Sequence, residues 1–228
     1  MTLAEIARRL DRYLGGESTR EFYTAQTRLD AINDAQRQVA DDLLIPKRFV
    51  NVVGAPPLSL PTEASGAGLI SIKVVENTGA RPLPLYTVTE ANQRFPQWSE
   101  EETGTQPARY VIYDPANLTA PIYVVPPHTD TRTYRIEYRP RVNDFTLSDL
   151  DTGTAVPFNG DVDFEGAHEL IPLYAAALLW DMQKDDLGYK QYTRYMNEYM
   201  VKAAEYYHKI NGTWVVPEND FFRSFRRR

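Results

Sequence analysis

The 228-residue chain has no cysteine. That excludes disulfides, thiolate metal sites and a cysteine nucleophile, and it suits a reducing compartment. Histidine is scarce as well: His128, His168 and His208 fall in one predicted loop and two predicted helices, with none of the i, i+4 or HExxH spacings of metal sites. Each reads as a surface or interface histidine. No run of about 18 apolar residues occurs, so no membrane span is expected. The opening Met1-Thr2-Leu3-Ala4-Glu5 lacks the basic-then-apolar order of a signal peptide, and the sequence predicts a soluble chain that is not secreted. The sequon Asn211-Gly212-Thr213 then carries no meaning. G-x-S-x-G, P-loop and G-x-G-x-x-G motifs are all missing. Asp161 and Asp163 with Glu165 lack the later ligands of a calcium loop and read as negative charge at a helix start. The expectation is no catalysis, no metal and no cofactor.

What is present is enough for a packed core: 43% hydrophobic residues, 12% aromatic. A net charge of −6 argues against broad nucleic-acid binding by the body of the chain. The charge is uneven. Residues 218–228 carry +2, while the other 217 residues sum to −8.

Thr2 with Glu5 forms a capping box, and Leu3, Ile6, Ala7, Leu10 and Leu14 follow helical spacing up to Gly15-Gly16. A second helix sets Leu29, Ile32, Val39 and Leu43 against Arg28, Asp34, Arg37 and Asp41, and ends before Pro46. From Lys47 to about Arg141 short β-rich runs alternate with Pro, Gly and Asn, the texture of an antiparallel sheet region. Candidate strands are 49–53, 58–60, 69–76, 83–85, 109–114, 122–125 and 133–139. Val88 to Phe95 reads as a helical turn leading to Trp98 and the exposed acidic run Glu100-Glu101-Glu102. Residues 143–160 read as a long polar connection.

The stretch from Asp161 to Ile210 predicts two further helices, the first buried through Trp180. The second places Tyr192, Met196, Tyr199, Ala203, Tyr206 and Ile210 on one face and Lys190, Arg194, Glu198, Lys202, Glu205 and Lys209 on the other. Seven of the 15 tyrosines lie between Tyr174 and Tyr207, and rigid rings with polar tips suit half-wet contacts. Tyr192, Arg194, Tyr195, Tyr199, Lys202 and Tyr206 are the candidate subunit interface. Beyond Gly212, aromatic and arginine residues alternate: Trp214, Phe221, Phe222, Arg223, Phe225, Arg226, Arg227 and Arg228 form a candidate docking arm, because such residues anchor interfaces.

The predicted architecture is α+β. Residues 1–46 and 161–212 supply a helical bundle from both chain ends, 47–142 an inserted antiparallel β domain, 143–160 a connection and 213–228 an extended C-terminal arm.

In order, these pieces resemble the head-to-tail adaptor (connector) proteins of short-tailed bacteriophages. The resemblance rests on Leu29-Asp30-Ala31-Ile32-Asn33-Asp34-Ala35-Gln36-Arg37, then Leu58-Ser59-Leu60-Pro61-Thr62, Gly104-Thr105-Gln106-Pro107-Ala108-Arg109-Tyr110, Ile122-Tyr123-Val124-Val125-Pro126-Pro127 and Tyr134-Arg135-Ile136-Glu137-Tyr138-Arg139. Two features depart from the family pattern, Pro172 inside the third main helix and the long Trp- and Arg-bearing end. The resemblance implies a non-enzymatic virion protein of the neck, assembled in the host cytoplasm as a homo-oligomeric ring, commonly a dodecamer. Its implied partners are the portal protein, which the arm would bind, and a tail nozzle or tail tube protein. DNA would pass through an axial channel without sequence-specific binding. A rival reading, a β-sandwich carbohydrate-binding module or glycan-active protein, rests on Tyr86, Phe95, Trp98, Tyr110 and Tyr113, and requires those rings to line one open groove.

Overall fold

The computed structural model describes residues 1–15, 22–59, 64–76, 79–103, 107–114, 121–127, 129–160 and 164–211. The protein is mixed α+β and divides into two compact units. One combines Met1–Ile45 with the chain from Val142 onward; the other is Pro46–Arg141.

The first unit is helical: α1 (Leu3–Tyr13), α2 (Ala25–Leu43), α4 (Leu147–Thr152), α5 (Glu165–His168), α6 (Leu170–Asp181) and α7 (Asp186–Asn211), with α3 (Val88–Arg94) lying in the other unit. Threonines start four of these seven helices. Thr2, Thr24, Thr87 and Thr146 each accept a hydrogen bond from the backbone N–H three residues on, and Glu5, Glu90 and Asp149 return the bond to complete capping boxes. α2 ends at Leu43, three residues before Pro46; Leu44 then turns left-handed (φ 56°) and the Ile45 N–H reaches the Ala40 carbonyl at 2.9 Å.

α6 is the centre of this unit. Every side chain from Leu170 to Ala177, with Leu179 and Trp180, is buried, so it is apolar all round, and α1, α2 and α7 all pack on it. The expected single helix through this stretch is broken at Glu169. Because α6 restarts at Leu170, Pro172 falls in its first turn, where no N–H is needed and the fixed φ is helical.

The expected long connection 143–160 carries local structure of its own. It contains α4 and a left-handed turn at Phe158, Asn159 and Gly160 (φ 54°, 60° and 80°), and α2 holds it in place. Asn33 donates from Nδ2 to the Phe145 carbonyl (3.0 Å) and accepts from the Phe145 N–H (2.8 Å). Gln36 donates to the Asn143 carbonyl and accepts from the Phe158 N–H, both at 3.0 Å, and Arg37 grips Asp144 at 2.6 and 2.7 Å. Asn33 and Gln36 of α2 thus clasp backbone, and Arg37 a side chain, more than 100 residues away. The bonds at Gln36 and from the Asn143 N–H to Asn159 Oδ1 offset the strain of two non-glycine residues at positive φ.

The second unit holds two sheets. In the first, β1 (Arg48–Gly54), β7 (Arg132–Pro140), β2 (Ala64–Glu76) and β3 (Gly79–Leu83) lie in that order, all antiparallel. β7 buries Tyr134, Ile136 and Tyr138 and turns Arg135 and Glu137 outward, as its alternation predicts. The second sheet runs β4 (Leu85–Thr87), β5 (Tyr110–Tyr113), β6 (Tyr123–Val125). Here the antiparallel expectation is corrected, because β4 pairs parallel to β5 through a crossover that contains α3. The predicted strand 83–85 is split at Pro84, with Leu83 in one sheet and Leu85 in the other. Only a bridge, Leu58 to Ile122, forms at the described part of the predicted strand 58–60.

Candidate assembly surfaces

α7 carries the residues expected at a subunit interface, and the structure sorts them by face. Tyr195 and Tyr199 are buried, at 6% and 2% exposure, in the chain's own core. The Tyr195 hydroxyl donates to the Tyr13 carbonyl at 2.9 Å, and its ring lies 5.2 Å from that of Tyr13, which ties α7 to α1. Tyr199 packs edge-on against Tyr174 at 4.9 Å and donates its hydroxyl to Asp42 of α2. Burial pushes the Tyr195 and Tyr199 phenols up, and it raises the Asp42 carboxyl against the bonds from Tyr199 and Gln38.

The rest of the set lies further out. Tyr192 and Tyr206 are half-buried, the Tyr206 ring lying against Gly166, where an added Cβ would come within 2.3 Å of it. Arg194 is exposed with its guanidinium 5.4 Å from the centre of the Tyr195 ring. Lys202 binds Glu198 at 2.8 Å, and that hydrogen bond raises its pKa.

Reasoning from the sequence missed the apolar residues that this unit exposes. Leu187, Tyr189 and Val201 emerge from α7 and Met182 from the turn before it, Tyr189 at 70% exposure. Phe22 is also exposed, next to Tyr23, whose hydroxyl reaches the Leu179 carbonyl near the end of α6. Their spacing carries no helical signal because they lie off the core stripe, and only the packing of α7 on α6 shows which face stays open. A cleft of about 230 Å³ between α1, α2 and α4 is lined by Ala7, Leu10, Leu29, Ile32 and Leu150, and its two charged lining residues, Asp11 and Arg28, pair at 2.8 Å.

In the β unit, the outer face of the four-stranded sheet exposes Phe49 and Val53 on edge strand β1. Arg135 lies over the Phe49 ring at 4.8 Å, and Lys73 and Ser71 both bind Glu137 at 2.6 Å. The rings behind the glycan reading do not line an open groove. Tyr86, Phe95 and Tyr110 pack on one another at 4.6 to 5.8 Å around Ala91, Ile112 and Val125, Trp98 rests on Tyr123, and Tyr113 packs into the neighbouring core. The acidic run is only partly free in solvent, since Glu101 binds Arg109 and accepts from the Tyr110 hydroxyl.

Among the described residues no group of three or more His, Asp or Glu side chains is placed to hold a metal ion. Nor is any described helix long and apolar enough to cross a membrane. His168 is buried, its Nδ1 accepting from the Met1 amino group at 3.1 Å, and His208 is exposed on α7; His128 lies outside the described residues. So do Asp161 and Asp163, and so do the arm residues Trp214, Phe221, Phe222, Arg223, Phe225, Arg226, Arg227 and Arg228.

Comparison with individually curated proteins finds no match. A family model, described as SU10 adaptor protein, matches residues 1–216 and therefore both units together. The chain belongs to the SU10 adaptor protein family, a family of phage head–tail adaptors.

Proposed function

We propose that the chain is a structural adaptor of the virion neck that forms a ring, of about twelve copies as is common for such adaptors, joining the portal to the tail or nozzle. Its work is to bind rather than to catalyse, and DNA passes along the ring axis without sequence-specific contacts. The observation that carries this reading is the family match over residues 1–216. The exposed Met182, Leu187, Tyr189 and Val201 of the helical unit support it, as apolar surface of the kind that partners cover. The acidic balance of the chain is consistent with a channel that does not hold phosphate. Residues 1–46 and 161–212 act together as the ring-forming helical bundle, 47–142 as an inserted module, and 213–228 as the portal-binding arm. In that arm Trp214, Phe221, Phe222 and Phe225 fill apolar pockets, and Arg223 and Arg226 to Arg228 meet acidic groups at their rim.

Mass measurement and particle imaging of the purified chain, alone and with a portal ring, test the proposal. Rings whose mass is a whole multiple of the chain's, seated on the portal, are expected. A monomer in both conditions overturns it.

A further inference from the structure

We propose that two free copies of this chain pair through the open edge of β1, strand against strand about a two-fold axis at Asn51, so that their four-stranded sheets join into one. The pair is a property of the free chain and does not depend on the ring reading above.

The two edges of that sheet are not alike. β3 has five residues and carries Pro82, which has no N–H to offer a further strand. β1, at the other edge, has seven residues and no proline. Alternate residues of an antiparallel strand aim both N–H and C=O away from its neighbour, so about three or four residues of β1 present theirs outward. Among the described residues, Phe49 to Gly54 make no hydrogen bond beyond the β7 ladder except at the Asn51 side chain, whose Oδ1 accepts from Arg135 Nε at 3.5 Å. The side chains are open as well. Phe49 and Val53 are 64% and 66% exposed, and Val50 and Val52 are only half-buried where Ile136 and Tyr134, opposite them on β7, are fully buried. A long apolar edge of this kind is a template for another strand.

The strand that fits it is β1 itself. Residues directly opposite in an antiparallel pair point to the same side, so outer-face residues must meet outer-face residues. Pairing centred on Asn51 does this and keeps all seven residues in register. On the outer face Phe49 of each copy meets Val53 of the other, aromatic against β-branched, and the two Asn51 amides, each a donor and an acceptor, face one another. On the inner face Val50 of each copy meets Val52 of the other and covers the side of the core that β1 leaves open. At the ends Arg48 lies opposite Gly54, so no like charges oppose. Moving the centre to Val50 or Val52 sets Asn51 against Phe49 or Val53 and leaves two residues of β1 unpaired.

The contact is self-limiting. Both ends of the joined sheet are β3 strands with their Pro82, so a third copy finds no open edge and the assembly stops at two. A ring that seats one face on a portal contains no such two-fold axis. The pair therefore belongs to the chain before assembly, where it covers an edge that would otherwise recruit other strands.

Because the chain has no cysteine, a single introduced thiol reads the contact. In the pair the two copies of residue 51 stand with Cα atoms about 4.5–5.5 Å apart, inside the range of about 4.4–6.8 Å that a disulfide spans. Under mild oxidation and without a portal, Asn51→Cys should give a covalent dimer at least about tenfold faster than Val75→Cys, which is exposed on β2, two strands from the edge. Phe49→Cys mixed with Val53→Cys should cross-link to each other faster than either does to itself. Wild-type chains at about 50 µM, where a micromolar pair is formed, should sediment at twice the mass of one chain. Asn51→Lys sets two cations face to face at the axis and should weaken the pair about tenfold or more while circular dichroism stays that of wild type. Wild-type chains that sediment as monomers or as rings, Asn51→Cys chains that cross-link no faster than Val75→Cys, or a dimer that Asn51→Lys leaves intact would each overturn the proposal.

Discussion

Asp42 is the one carboxylate that α2 directs into the helical core, and its titration should be visible in the stability of that unit. Its Oδ2 accepts the Tyr199 hydroxyl and its Oδ1 accepts Gln38 Nε2 at 2.8 Å, with no cation bound to it among the described residues. Burial outweighs both bonds and lifts its pKa above the ordinary value of 3.8. A carboxyl whose folded pKa is raised binds more protons in the native state than in the unfolded one. Its contribution is therefore most favourable below the ordinary carboxylate pKa, falls as pH rises toward the folded value, and stays low above it, by about 1.4 kcal/mol for each pH unit between the two. Asp42→Asn keeps an acceptor for Tyr199 and removes the buried charge, so at pH 7 the variant should equal or exceed wild type, and it should lose that advantage in acid. Tyr199→Phe removes one of the two donors while the ring stays packed on Tyr174, and should cost about 1–3 kcal/mol at pH 7 and less once Asp42 is protonated. Urea unfolding followed by helical circular dichroism, at fixed protein concentration and several pH values from 4 to 8, reads all three proteins (range chosen to span the carboxylate titration). A loss of more than about 1 kcal/mol for Asp42→Asn at pH 7, or a difference from wild type that does not change with pH, would refute the reasoning.

The clasps of α2 give a second test: Asn33→Leu or Gln36→Leu orphans two backbone groups and should lower stability by about 2–4 kcal/mol in the same unfolding assay, with hydrogen exchange rising first across residues 143–158. Gly188→Ala should cost about 1–3 kcal/mol, because the new Cβ would meet the Trp180 carbonyl oxygen at 2.7 Å and backbone cannot step aside as a side-chain tip can; an unchanged melting temperature would contradict this. Truncation after Asn211 should leave the melting temperature unchanged and abolish capture by a portal ring in a pull-down. A truncated chain that unfolds, or that still binds, would refute the docking arm.

Local pattern was enough for several of the elements. The Thr2–Glu5 capping box, the β7 alternation and the unbroken apolar run of α6 each follow from residues within a few positions of one another, and burial periodicity and capping act over that range. The order of the sequence pieces was likewise enough to point to the family that the match over residues 1–216 shows. Tertiary structure decided what depends on partners far along the chain. Residues 143–160 read only as a long polar connection because the amides that hold them lie on α2, more than 100 positions earlier. A sequence shows that Asn33 and Gln36 are polar, but not that their four bonds are all spent on one distant segment. The parallel pairing of β4 with β5 was hidden for the same reason: a three-residue strand carries no mark of its neighbour's direction, which the crossover through α3 fixes. The tyrosines of α7 were legible as a stripe, yet only packing on α6 and α1 divides them. Tyr195 and Tyr199 are enclosed because Tyr13, Tyr174 and Asp42 converge on them, and Tyr189 is left open because no such partner meets it among the described residues.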